Sequence, residues 1–340
     1  MLNLVTGGSG FVGAHLVGEL IRRGEQVRVL DIEEPIELPA GADFVKASIT
    51  DAGALSKAVT GVECVFHLAA NAHLWARDKN DYAKINTVGT ELVLESANRA
   101  GVKRIVHTSS LTVLVGNQGR HSAITVNEQI SVPLDDMLGP YCRSKYLADQ
   151  TATKAAANGV PVIIVLPTLP VGPGDYGLTP PTRMILDLIR GKTPAYLQCL
   201  LNLIDVRDVA TGAILARDRG TIGERYILGH QDLWMSDLLQ KLNELASVPM
   251  PKRRVPYGVA LAVAYINEWI SDWITGRPPR APLTGIKLAG RKVRFDSQKA
   301  TSTLGLSHRD IDDTLNDQLH WFFERGLTDT DHSAFSDDQS

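Results

Sequence analysis

The chain has 340 residues, of which 44% are hydrophobic and 21% charged, and a formal net charge of −3. That much apolar sequence suits one large unit or two intimately joined domains, and the charge balance gives no electrostatic case for nucleic acid as a partner. Cys64, Cys142 and Cys199 lie far apart without ligand-like spacing, which suggests a reducing compartment and no structural metal.

The amino terminus, MLNLVTGG, enters a strand-like run directly, so no secretory signal is expected and a cytoplasmic location follows. LNLV leads into a glycine turn and then a helical pattern near 11–23. Gly7, Gly10 and Gly13 have the spacing Gly-x-x-Gly-x-x-Gly between that strand and that helix. Glycines there permit a tight turn and let backbone approach a pyrophosphate at the positive end of the helix. QVRVL, the next strand, ends in Asp31, a carboxylate suited to a ribose 2′-hydroxyl and unsuited to a 2′-phosphate. Arg28 is read as leaving the strand on the same face as Asp31, which keeps NADP(H) open beside a preferred NAD(H).

ADFVKA, CVFHLA, RIVHT and VPVIIVL continue the strands, with helices near 52–60, 81–100 and 141–158 between them. This alternation predicts an α/β chain with a Rossmann-type, doubly wound parallel sheet covered on both faces. His67 and His107 fall in apolar strands and read as satisfied core residues. In GPYCRSK, Tyr141 precedes Lys145 by four residues, so one helix face carries both. The pair is either an ordinary helix surface or a proton donor beside a cation that favours its phenolate.

After Leu166 the texture changes. Residues 167–182 are rich in proline and glycine and predict a long ordered loop; helices follow near 183–190, 208–217, 234–246, 257–275 and 311–325. ERYILG, residues 224–229, reads as a strand returning to the main sheet. The expected division is a dinucleotide-binding domain over 1–166, rejoined by 204–229, a smaller substrate-binding region over 167–203 and 230–326, and a flexible acidic tail over 327–340. The apolar run at 257–275, with Trp269 and Trp273, is too short and polar for a span. It suits core packing, a cap on a hydrophobic substrate, or peripheral contact with a membrane.

TGGSGFVG, Asp31, HLAA, NTVGTELVLESA, VHTSS, YCRSK, LPTLPVGPGD, NLIDVRDVA and ERYILG occur in that order. The chain thereby resembles the extended short-chain dehydrogenase/reductases, the NAD-dependent epimerase/dehydratase family, over roughly residues 1–326. LDDMLGPYCRSK and RGKTPAYLQCLLNLIDVRDVA liken it to dihydroflavonol 4-reductase-like proteins and to hopanoid-associated sugar-epimerase-like proteins. The resemblance implies that Tyr141 exchanges the substrate proton, that Lys145 lowers its pKa and holds the nicotinamide ribose, and that Ser110 binds the substrate oxygen, with Ser109 as the rival. Asn86 matches a site-linked helix asparagine, though a helix N-cap is an equal reading.

Further cofactor contacts are implied for Phe11, Val12, Ile32, Ser48, Ile49, Leu68, Ala69, Ala70, Pro167 and Thr168, beside Gly7, Gly10, Gly13, Tyr141 and Lys145. Ser48 stands where the family often has an aspartate. Asp208 reads as an N-cap, and His73 and Trp75 as loop residues that overhang the substrate or do nothing chemical. The resemblance also implies a homodimer joined through the helices near 81–100 and 141–158.

Leu111-Thr112 follow Ser110 where dehydratases carry Asp-Glu, and Pro167-Thr168 stand where many nucleotide-sugar epimerases carry asparagine. A ketone or secondary-alcohol oxidoreductase is therefore expected, acting on a small molecule of bulky or lipophilic character. A sugar epimerase and a non-catalytic dinucleotide-binding regulator are the alternatives.

Overall fold

Strands that are apolar on both sides need cover on both sides. The computed structural model, which describes residues 1–328, supplies it. In chain order the first half contains β1 (Leu2–Thr6), α1 (Phe11–Arg22), β2 (Gln26–Asp31), β3 (Ala42–Lys46), α2 (Ala52–Ala58), β4 (Cys64–His67), α3 (Asn80–Tyr82), α4 (Gly89–Arg99) and β5 (Arg104–Thr108). Then come β6 (Ile124–Val126), α5 (Pro140–Ala157), β7 (Val162–Pro167), β8 (Leu169–Val171), α6 (Pro180–Ile189), β9 (Ala195–Leu197), β10 (Leu200–Asp205) and α7 (Val206–Arg219). The remainder is β11 (Arg225–Leu228), β12 (Gln231–Trp234), α8 (Met235–Ala246), β13 (Arg253–Val255), α9 (Tyr257–Ile270), α10 (Leu283–Ala289), β14 (Val293–Phe295) and α11 (Ile311–Glu324).

Seven parallel strands form the main sheet in the order β11-β7-β5-β4-β1-β2-β3. Alternate residues of the same strands feed opposite cores. Leu4, Leu30, Val65, Ile105 and Ile164 pack beneath α2, α4 and α5. Val5, Val29, Phe66, Val106 and Val165 pack beneath α1 and α7. Strand order reverses between β1 and β4, and such a switch point opens a crevice at the carboxyl ends of the strands. The ERYILG strand does return to this sheet, as β11 beside β7.

Three small sheets complete the fold: β12-β10-β8, β13-β9 and β14-β6. The loop expected over 167–182 is shorter than its proline and glycine content suggests. It contains β8, paired with β10, and the first turn of α6, where Pro180 and Pro181 occupy positions that have no helical N–H partner to lose. A third core under α6, α8 and α11 holds this half together. Of the expected tail, Leu327 is still tied in, its N–H donating to Phe322 O at 2.8 Å; residues 329–340 lie outside the described residues.

Candidate active site

The glycine turn sits at the switch point. Gly7 has φ +75°, and a Cβ there would lie 2.6 Å from the Ala69 amide nitrogen after β4. A Cβ on Gly13 would overlap the Gly7 carbonyl oxygen. Only bare backbone fits at both positions, which leaves a cradle at the start of α1. Gly10 precedes that helix without any side-chain cap, so the first amides, from Phe11 and Val12 on, face outward for an anion.

Asp31 closes the cradle from β2. Its Oδ2 accepts from Ser9 N at 3.0 Å and its Oδ1 from Ile32 N at 2.7 Å. Arg28 is three positions earlier, so strand alternation turns it to the opposite face, and the same-face reading fails. Its guanidinium donates instead to Ala58 O at 2.6 Å and Thr60 O at 3.0 Å. Ser48 bonds locally to Thr50 Oγ1 at 2.8 Å, and Ile49 is buried against Gly89. Leu68 and Ala69 donate to Thr6 O and Thr6 Oγ1, which fixes the path through Ala70. Pro167 ends β7, and the Thr168 N–H donates to Leu228 O at 2.9 Å.

Across the crevice, Gly139 and Pro140 start α5 and bring Tyr141 to the end of β5. Burial pushes the Tyr141 phenol up to about 12, against a hydrogen bond with Ser110 that lowers it. Lys145 donates to Thr108 O at 2.9 Å. Burial pulls its ammonium down to about 8, against the pull of Asp149. The expected lowering of the phenol by Lys145 does not appear; desolvation dominates, and the ammonium is itself buried and committed to a carbonyl. Ser110 and Ser109 diverge. Ser110 accepts from Thr112 N at 3.3 Å and faces Tyr141, whereas Ser109 donates to Asp149 Oδ1 at 2.6 Å, and Asp149 in turn pairs with Arg225.

Asn86 is not a helix N-cap. It lies inside a π-helical turn over Ala83–Val88, between α3 and α4. Its Oδ1 accepts from Asn71 N at 2.7 Å, and its Nδ2 donates to Asn71 O at 3.0 Å and Ser144 Oγ at 2.9 Å. Such turns re-aim side chains where function requires it. Here one side chain locks the loop after β4 to the helix that carries Tyr141. Tyr82 packs edge-on against Tyr141 with centroids 6.2 Å apart and donates to His73 O at 2.7 Å.

A family model described as the NAD dependent epimerase/dehydratase family matches residues 3–229. The chain belongs to the NAD-dependent epimerase/dehydratase family. It is thus an enzyme of the extended short-chain dehydrogenase/reductase type. A putative dihydroflavonol 4-reductase of Synechocystis is 38% identical over 96% of both chains. Sterol demethylase protein B of Methylococcus capsulatus is 31% identical over 96% of this chain and all of its own. The crystal structure of gox2253 superposes with a TM-score of 0.83 at 33% identity, covering 96% of this chain and 99% of its own.

Against this family pattern, several side chains are placed differently from the sequence expectation. Trp75 is buried, and its Nε1 donates to Asp272 Oδ1 at 2.7 Å, beneath Lys79 at 4.7 Å from the ring centroid. It clamps the loop after β4 to the segment after α9. Asp205, not Asp208, caps α7, accepting from Arg207 N at 2.7 Å; Asp208 is buried and paired with Arg309. His67 is a satisfied core residue, between Thr6 Oγ1 and Thr90 Oγ1. His107 has no hydrogen-bond partner among the described residues, so it is buried but not satisfied. Asn71, Ser144, Tyr82 and Asp149 escape sequence reasoning, because their roles depend on loop paths that no spacing encodes. Among the described residues no group of His, Cys, Asp and Glu is placed to hold a metal.

Proposed function

We propose that the protein is an NAD(P)-dependent oxidoreductase that interconverts a ketone and a secondary alcohol on a bulky, lipophilic substrate. The observation that carries this reading is the convergence at the carboxyl end of β5: Ser110 lies beside the Tyr141 phenol, and Lys145, one turn along α5, reaches Thr108 O. The glycine cradle and Asp31 fit a dinucleotide with a free ribose 2′-hydroxyl. When bound, the nicotinamide supplies or takes up hydride. Tyr141 is protonated at neutral pH, the form that gives a proton to a carbonyl oxygen during reduction. Ser110 orients that oxygen, a task for which Ser109 is not free. Lys145 gives one N–H to Thr108 O and keeps two for the nicotinamide ribose, while Asn86 positions α5 against the loop after β4.

In this reading residues 1–166 and 204–229 hold cofactor, and 167–203 with 230–326 hold substrate. The names of the two relatives, a dihydroflavonol reductase and a sterol demethylase protein, support an oxygenated polycyclic substrate. Leu111-Thr112 after Ser110 supports net redox over elimination. A second reading, a sugar epimerase, is favoured by the match to a family that contains epimerases.

The test follows NADH absorbance and product stereochemistry together, on aryl ketones, steroid-like ketones and nucleotide sugars. Net NADH consumption with a ketone is expected. Tyr141→Phe should retain NAD binding and lose about 10²–10⁴-fold in turnover. An inverted sugar without net NADH change would establish the epimerase. Tight NAD binding with no turnover on any carbonyl would instead leave a regulator.

A further inference from the structure

Helix α9 and the π-helical turn after it, Ser271–Thr275, carry an apolar face that the fold leaves open. Val259, Val263, Ile266, Trp269, Trp273 and Ile274 are all exposed, Trp269 at 58% and Trp273 at 79% of their surface. The expectation that the two tryptophans pack in the core is overturned. On a helical projection these six residues fall within one half of the circumference. A single protein rarely leaves so many large apolar side chains together in water.

Charge around the face is sorted by sign. The segment 257–275 has two charged residues, Glu268 and Asp272, and both are taken up by partners within the chain. Glu268 accepts from Leu283 N at 2.9 Å, and Asp272 accepts from Trp75 Nε1 and Lys79 Nζ. The flanks are cationic: Lys252, Arg253 and Arg254 immediately precede α9, and Arg277 and Arg280 follow the π turn. At the first end a cavity of about 590 Å³ is lined by Arg120, Arg254, Arg291 and Lys292 beside Tyr257, with no acidic residue in its wall. None of these flanking cations has a carboxylate within 4 Å among the described residues.

We propose that this face docks the protein on an anionic lipid bilayer, the tryptophans entering the interface and the flanking cations meeting lipid phosphates. Amphipathic tryptophan side chains favour the headgroup level, and a polybasic flank draws an apolar helix face to anionic lipid. No helix among the described residues is long and apolar enough to cross a membrane, so the attachment is peripheral. Docking would also orient the candidate active site. The π turn after α9 is tied through Asp272 to the loop after β4, and Thr284 of α10 abuts Gly139, two residues before Tyr141. The proposal does not depend on which reaction the site performs.

Full-length protein is sedimented with phosphatidylcholine vesicles, and with vesicles in which about a third of the lipid is phosphatidylglycerol, in about 0.1 M salt. Binding to the anionic vesicles is expected, weakened at least ~10-fold in Trp269→Ser/Trp273→Ser and in Arg253→Gln/Arg254→Gln. All of these side chains are exposed, and NAD binding checks that each variant is folded. Three results would overturn the proposal: no sedimentation with anionic vesicles, equal binding to neutral ones, or binding unchanged in the tryptophan variant. If light scattering shows that the tryptophan variant halves the particle mass while the parent binds no vesicles, a second copy covers the face and the proposal fails.

Discussion

Asp31 holds the turn that forms the cofactor cradle, because its two oxygens accept from Ser9 and Ile32 on either side. Arg28 is turned away to Ala58 and Thr60, and Lys46, opposite Asp31 on β3, is paired with Glu34, so neither strand cation is committed to a 2′-phosphate. Paired titrations are expected to give tighter NADH than NADPH binding, and Asp31→Ser should narrow the difference at least ~10-fold. Tighter NADPH binding by the parent protein would refute this. The buried histidines make a separate residue-scale prediction. Burial pulls His67 down to about 3 and His107 well below its ordinary value. Each stays neutral in the fold over a range where the unfolded chain, with a histidine pKa near ~6.5, binds a proton. Their contribution is fully present above that pKa and is lost as pH falls toward the folded values, by ~1.4 kcal/mol per pH unit for each. Urea denaturation between pH 6 and 4 measures the slope. His107→Leu should flatten it, since the ring has no hydrogen-bond partner to lose; an unchanged slope would mean that His107 is charged in the fold.

At the scale of elements, the glycine turn and α1 work as one piece. Gly13 lies inside the first turn of α1, and its missing Cβ lets the helix sit against the Gly7 carbonyl. Gly13→Ala must push the turn away from the helix. NAD affinity is expected to fall at least ~10-fold while overpacking costs about 1–3 kcal/mol of stability. Calorimetric titration and thermal unfolding read these two effects separately, and wild-type affinity would show that the turn is not the phosphate site. The π-helical turn between α3 and α4 belongs to the same scale. Asn86 reaches both Asn71 and Ser144 only because the extra residue rotates it toward them.

For the whole molecule, an ion pair fastens α7 to the interior of the sheet. Arg217 on α7 donates to Glu25 Oε2 at 2.6 Å and to Asn3 Oδ1 at 3.2 Å, closing α7 over the amino-terminal strand. Association between copies is a separate matter. The homodimer proposed through α4 and α5 is supported by Val88, at the end of the π turn, and Leu147 on α5, both exposed large apolar residues. Light scattering should give twice the chain mass for the parent protein and a lower mass for Leu147→Glu, because a buried carboxylate without a partner opposes the interface. A dimer that survives this substitution places its interface elsewhere.

The glycine spacing, Asp31, the Tyr141–Lys145 interval and the two-sided apolar strands were all legible in the sequence. Each is a local pattern that helix or strand geometry converts directly into a shared face or a tight turn. The parallel sheet and the return of residues 225–228 followed from the same patterns. Tertiary structure alone separated Ser110 from Ser109, since neighbouring serines at a strand end differ only in what lies opposite them, Tyr141 or Asp149. It alone turned Trp75 inward from a polar stretch, and Trp269 and Trp273 outward from an apolar one. An apolar side chain records that it prefers to leave water, and not which surface will cover it. That surface is built by segments distant in the chain: Asp272 waits for Trp75 from 197 residues away, and nothing on the described chain reaches the face that carries Trp273.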